Sequence, residues 1–209
     1  IRDSSVTGVQ TCALPIWGVF TASLPESGWD TLSLETSGSY SDQQQAFAAG
    51  YLEGVLSRDR IWALQQAIVA NAYSADSRAE IDAFITQQDA FLRAQVKAHA
   101  ADSSLVPGSS TLTQSTYWFQ VALVLAQLDG VLAGVNAHAT GADSPAAGRT
   151  LSLTDLWLMN DDGDVMDIER VVGAAGGEQF REVERLSRQD LIQLIAWRTR
   201  CSVLIKLTG

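Results

Sequence analysis

Two thiols occur in the 209 residues, Cys12 and Cys201. Cys201 follows a polar segment, Arg198-Thr199-Arg200, and precedes a short apolar run, Ser202-Val203-Leu204-Ile205-Lys206-Leu207. By composition, a cysteine at the head of a strand is a small core residue. The same placement also suits an N-terminal nucleophile. When the peptide bond before a Cys, Ser or Thr is cut, the freed α-amine, with a pKa of about 8, can take the proton of the thiol beside it. Both readings stay open at this level.

Three other groups invite chemistry. Asn160-Asp161-Asp162-Gly163-Asp164 with Glu169 has the look of a calcium loop, which needs oxygen ligands at alternate positions, Gly at the sixth and Glu at the twelfth. Setting Gly163 in the sixth place suits Asn160, Asp162, Val165 and Glu169 but puts Leu158 first, where no side-chain ligand exists. An acidic turn capping the following helix is the preferred expectation. His99 and His138 lack a cysteine or carboxylate at zinc spacing and read as solvated helix-terminal residues. Asp129, inside the apolar run Tyr117 to Val135, must be paired or hydrogen-bonded if buried, and a structural role, bonding backbone amides of a neighbouring loop, is expected.

The elements that would hold these groups are mostly helical. A hairpin is expected over Trp17 to Thr36 around Glu26-Ser27-Gly28, followed by helices at Gln43 to Leu56, Arg58 to Ala72, Asp76 to Ala100 and Ser115 to Ala139. Two short helices, Leu151 to Asn160 and Val165 to Val172, hinge at Asp161 to Asp164; Leu191 to Trp197 fits strand or helix, and Ser202 to Leu207 a strand. Tyr117 to Val135 has about the length of a bilayer span, but Gln120, Gln127 and Asp129 interrupt it, so a buried core helix is expected. With 46% hydrophobic and 18% charged residues the chain is an ordinary globular one, and a net charge of -10 argues against nucleic acid as a partner. Two cysteines make at most one bridge and leave the compartment open.

Residues 6 to 16, Val6-Thr7-Gly8-Val9-Gln10-Thr11-Cys12-Ala13-Leu14-Pro15-Ile16, read as the translation of a sequencing-library adapter, with a genuine strand as the alternative. Native sequence then begins near Trp17, and residues 1-16 are set apart from 17-200 and 201-209. Ending on an apolar strand with nothing beyond it, the chain is expected to be truncated.

Several ordered blocks resemble the phospholipase B-like family, the laminin-ancestor and lysosomal phospholipase B-like proteins. They are Gly28-Trp29-Asp30-Thr31-Leu32, Ala46-Phe47-Ala48-Ala49-Gly50-Tyr51-Leu52-Glu53-Gly54, Gln88-Asp89, Ala126-Gln127-Leu128-Asp129-Gly130, Leu153-Thr154-Asp155-Leu156 through Asn160 to Asp164, and Cys201 to Leu207. The resemblance implies a helix-rich α+β chain, the incomplete N-terminal part of an αββα N-terminal nucleophile hydrolase. It implies self-cleavage at Arg200-Cys201, with Cys201 as nucleophile and residues 17-200 as the pro-fragment. The sequence departs from the family pattern at Arg200, which is bulkier than expected before the cut, and at Val203, where alanine is usual. A phospholipid ester or an amide would be the substrate, the C-terminal half of the same precursor the partner, and a lysosome or the extracellular space the compartment. No cofactor is implied. A non-enzymatic helical binding or lipid-carrier module that retains the cysteine is the competing expectation.

Overall fold

The computed structural model describes residues 6-10, 16-68, 75-99, 114-137, 146-172 and 185-198. Strands β1 (Val6–Gln10), β2 (Ile16–Thr21) and β3 (Thr31–Thr36) form one antiparallel sheet in the order β1-β2-β3. Trp17 faces Glu35 across the β2-β3 ladder, and Phe20 faces Leu32. The expected hairpin is therefore present, but its connection is a single helical turn, α1 (Leu24–Ser27). Pro25 suits the start of that turn because its missing N–H is not needed there. Gly28 ends it at a φ of 81°, a left-handed conformation that glycine adopts without strain, with its N–H bonded to the Leu24 carbonyl. Asp30 then accepts the Ser23 and Leu24 N–H groups at 2.9 Å each and meets Arg60 Nε at 2.6 Å.

Helix α2 (Asp42–Leu56) opens with a capping box in which Ser41 Oγ accepts the Gln44 N–H and the Gln44 side chain accepts the Ser41 N–H. Ser57 links it to α3 (Arg58–Ile68), and α4 (Ala75–His99) and α5 (Gln114–Ala137) follow. Helices α6 (Leu153–Asn160), α7 (Asp162–Val172) and α8 (Arg188–Arg198) complete the described elements. The open choice at 191-197 thus resolves as helix. The expected strand at 202-207 and the glycine run at 173-177 lie outside the described residues. The architecture is helix-rich α+β.

Two apolar clusters hold it together. Ile16 on β2 packs with Ala48 and Leu52 of α2, with Leu34 of β3 beside them. A Cβ at Gly18 would press against the methyl ends of Leu34 and Leu52, which would have to shift to admit it. The larger cluster joins Ile81 and Ile85 of α4, Val131 and Val135 of α5, Leu156, Leu158 and Met159 of α6 and Val165 of α7.

Helix α5 contributes Val131 and Val135 to the larger cluster and packs along α2. On one side Gly130 and Gly134 rest against the backbone of Phe47 and Tyr51, while Gly50 and Gly54 of α2 rest against that of Gln127 and Val131. A Cβ at any of the four would meet a backbone carbonyl, so the two helices touch main chain to main chain. By length and composition Tyr117–Ala137 could cross a bilayer, and one third of its most apolar window is buried. The expectation of a buried core helix holds only in part: Ala122, Leu125, Val131 and Val135 are buried, but Tyr117 and Val124 are 57% and 62% exposed.

Arg58, 3% exposed, ties the start of α3 to the segment before α6: its Nη2 donates to the carbonyls of Ala146 at 2.9 Å and Arg149 at 3.1 Å. The Arg149 guanidinium in turn covers the Trp62 ring at 4.8 Å.

Candidate functional site

Arg200 and Cys201, the expected cleavage site and nucleophile, lie outside the described residues, as do Cys12 and His138. His99 ends α4 and stacks on Trp118 with ring centroids 5.8 Å apart and nearly parallel planes. That contact ties the end of α4 to the start of α5; His99 is helix-terminal as expected, but half-buried against Trp118 rather than solvated.

Asp129 departs from expectation in two ways. Its side chain is 39% exposed rather than buried, and its partner is a guanidinium rather than backbone amides of a loop. Arg93 Nη1 and Nη2 reach its two oxygens at 2.9 and 2.8 Å, the two-pronged geometry that planar guanidinium and carboxylate groups favour. Arg93 Nε also donates to Asp89 at 2.7 Å. Asp89 is itself buried, and its second oxygen accepts the Trp157 indole N–H at 3.1 Å. Asp129 first and Asp89 second push Arg93 still further above its ordinary pKa. One arginine on α4 thus joins α5 and α6 and satisfies a buried carboxylate whose desolvation would otherwise be costly.

A second arginine acts similarly at the start of α6. Arg78 grips Asp82 at 2.8 Å and reaches Asp155 at 3.0 Å. Asp155 closes a capping box with Ser152. Burial works to raise the Asp155 carboxyl, but hydrogen bonds from the Ser152 side chain and backbone, with Arg78, hold it below the usual carboxylate range.

The Asn160 to Asp164 segment behaves as an acidic turn. Asn160 returns its side-chain amide to the Leu156 carbonyl at 2.8 Å, while the Asp161 carbonyl accepts the N–H groups of Asp164 and Val165 and so begins α7. Among the described residues no three His, Cys, Asp or Glu side chains come together as metal ligands.

Beside the Asp89-Arg93-Asp129 network lies a cleft of about 140 Å³, lined by Phe84, Ile85, Leu92, Trp157 and Ile168 with Gln88, Asp161 and Asp164 at its polar edge. Burial raises the Asp161 carboxyl and the neighbouring Asp164 charge raises it further. Among the described residues no thiol or hydroxyl lines the cleft. Blocks singled out in the sequence converge here: Gln88-Asp89 from α4, Asp129 from α5, and the stretch through Asp164 from α6 and α7. Sequence reasoning missed Arg93 and Trp157, which join those blocks; the available signal was Asp89 and Arg93 at the i, i+4 spacing that pairs charges on a helix.

The sequence profile of phospholipase B matches residues 16–209. The chain is 28% identical over 208 residues to Phospholipase B-like protein D of Dictyostelium discoideum, an alignment covering 98% of this chain and 32% of that protein. It is 30% identical over 190 residues to Phospholipase B-like protein B of the same organism, covering 90% of this chain and 29% of that one. Against the human protein called Putative phospholipase B-like 2 the identity is 30% over 153 residues, covering 73% and 24% respectively. The chain thus spans about a third or less of the length of each of these relatives, and the match from β2 onward places it in one family: it belongs to the phospholipase B family.

Proposed function

We propose that the polypeptide carrying this sequence is a hydrolase of the N-terminal nucleophile type, with an αββα fold completed by residues beyond Gly209. Cys201 is its nucleophile. The carrying observation is the family match itself, which runs from residue 16 to 209 and therefore includes Cys201 and both its flanks.

In the first step the Cys201 thiol attacks the Arg200 carbonyl, and the amide is exchanged for a thioester as the Cys201 nitrogen leaves as a free amine. Water then hydrolyses the thioester, giving the Arg200 carboxylate and the free thiol. The new α-amine takes the thiol proton, the thiolate attacks a substrate carbonyl, and the leaving alcohol or amine receives the proton. A second water releases the acyl group as the acid. Residues 17-200 serve as the pro-fragment that positions Cys201, the C-terminal half of the same precursor supplies the remaining catalytic groups, and the enzyme works in a lysosomal or secreted setting. Phospholipid acyl esters or amides are its substrates.

Incubating the full-length protein at mildly acid pH tests the reading. A new N-terminus at Cys201 should appear in the wild type and be absent from Cys201→Ala. Equal cutting of the two proteins would exclude self-cleavage. A wild type that is neither cut nor able to hydrolyse esters would favour a helical lipid carrier instead.

A further inference from the structure

We propose that the start of α3 is a carboxylate-binding site, built around the buried guanidinium of Arg58. Arg58 is the first residue of this eleven-residue helix and is 3% exposed. Its Nη2 donates to the carbonyls of Ala146 and Arg149, but Nε and Nη1 have no acceptor and are shut from solvent. Among the described residues, only Arg58 and Trp118 bury side-chain polar atoms without a partner, and only the arginine of the two is charged.

The other arginines mark the contrast. Arg60, Arg78 and Arg93 are all far more exposed, and each meets a carboxylate. Arg58, where burial makes a counter-charge most needed, meets none among the described residues. Three costs coincide there. A guanidinium stays charged at neutral pH, so it does not escape burial by losing a proton as a lysine can. Its donors at Nε and Nη1 are taken from water and given nothing in return. The N-terminus of a helix is also electropositive, so a cation at the first position of α3 opposes the backbone dipole. A single anion answers all three.

The surroundings narrow the anion to a carboxylate. Two backbone carbonyls already face Nη2, and they repel a doubly charged phosphate more than a singly charged group. Nε and Nη1 are closed to water, which disfavours an ion that keeps a hydration shell. A planar carboxylate carries one charge, forms short charge-assisted bonds with guanidinium N–H groups and needs no water of its own. It has two sources, a side chain of the same polypeptide or a small free acid. The chain spans 32% and 29% of two relatives, so most of a polypeptide of that length lies outside it, and a side chain from that remainder is the favoured source. The inference stands apart from the hydrolase reading, because it uses neither Cys201 nor a substrate.

A crystal structure of the full-length protein, grown without organic acids and then soaked in sodium acetate at neutral pH, tests the site. A side-chain carboxylate oxygen within about 3.2 Å of Arg58 Nε or Nη1 assigns the site to the polypeptide itself. Acetate at those atoms assigns it to a free acid, provided that acetate also raises the Tm of the wild type saturably, that chloride at equal ionic strength does not, and that Arg58→Gln loses the rise. Both results support the proposal. Acetate in the crystal without that rise is an adventitious ion only and would overturn it. Water, a backbone carbonyl or nothing at Nε and Nη1 would overturn it as well. Should Arg58→Gln fail to fold, the wild-type structure and the comparison of acetate with chloride still decide.

Discussion

Along α5, the seam with α2 is made by Gly130 and Gly134 lying on the backbone of Phe47 and Tyr51, whereas the seam with α4 includes Asp129 held by the fork of Arg93. The first is closed at four glycines by main chain on main chain and tolerates no added volume there, with the Gln127 side-chain amide reaching Glu53 at 3.5 Å beside it. The second relies on a charged side chain that can move, and both Arg93 and Asp129 remain more than a third exposed. Close contact of main chain makes the α2 seam stiff and specific in shape. Charge pairing makes the α4 seam specific in partner but responsive to water, salt and pH. The cleft lies on the α4 side, where Phe84, Ile85, Gln88 and Leu92 line it.

The largest effect should come from filling the glycine seam. Gly130→Val in the full-length protein is expected to cost about 3 kcal/mol, read by denaturant unfolding, because the new side chain meets the Phe47 carbonyl. A loss below about 0.5 kcal/mol would show that the helices separate easily and that the seam is not tight. Next comes the charged seam. Arg93→Ala should cost about 2 kcal/mol, chiefly by leaving Asp89 buried without its cation. Asp129→Ala should cost less than half as much, given its exposure. A double-mutant cycle on Arg93 and Asp129 with no coupling would mean that the fork contributes only geometry.

Acid sharpens the contrast further. The Asp155 carboxyl is depressed in the folded chain, so the stability it contributes is present above its unfolded pKa of about 3.9 and is lost as pH falls through the lower folded value. Stability curves of wild type and Asp155→Asn should converge in that acid window, with the variant weaker at neutral pH; parallel curves would remove Asp155 from the account. The smallest effect belongs to the cleft. Asp161 is raised, so its ionised form is disfavoured in the fold, and its contribution is full below the unfolded pKa and lost as pH rises through the folded one. Asp161→Asn should therefore gain a few tenths of a kcal/mol at neutral pH, read as a small rise in Tm. A measurable loss would mean that the carboxylate has a favourable partner in the whole protein.

Much of the helical layout was legible. The Ser41 cap, the Asp161 break and the apolar spacing of α4 are local signals, and the ends observed for α2, α4 and α5 fall within two residues of those expected. The shared spacing of Gly50 with Gly54 and Gly130 with Gly134 was present as well, but a glycine pair in an isolated helix does not say which helix it meets. Asp129 was recognised as needing a partner, and the wrong kind was expected. Its arginine lies 36 residues away, and the Asp89 partner Trp157 lies 68 residues away.

By itself the sequence determined the family, the helices and their caps, and the acidic balance, because these follow from residue order and from contacts within a turn or two. Tertiary structure alone decided which face of α5 would be bare backbone and which charged, and that Trp157, Asp161 and Asp164 would share a cleft with α4. Such pairings depend on how the elements pack across long stretches of chain, and periodicity within one helix carries no record of its neighbour.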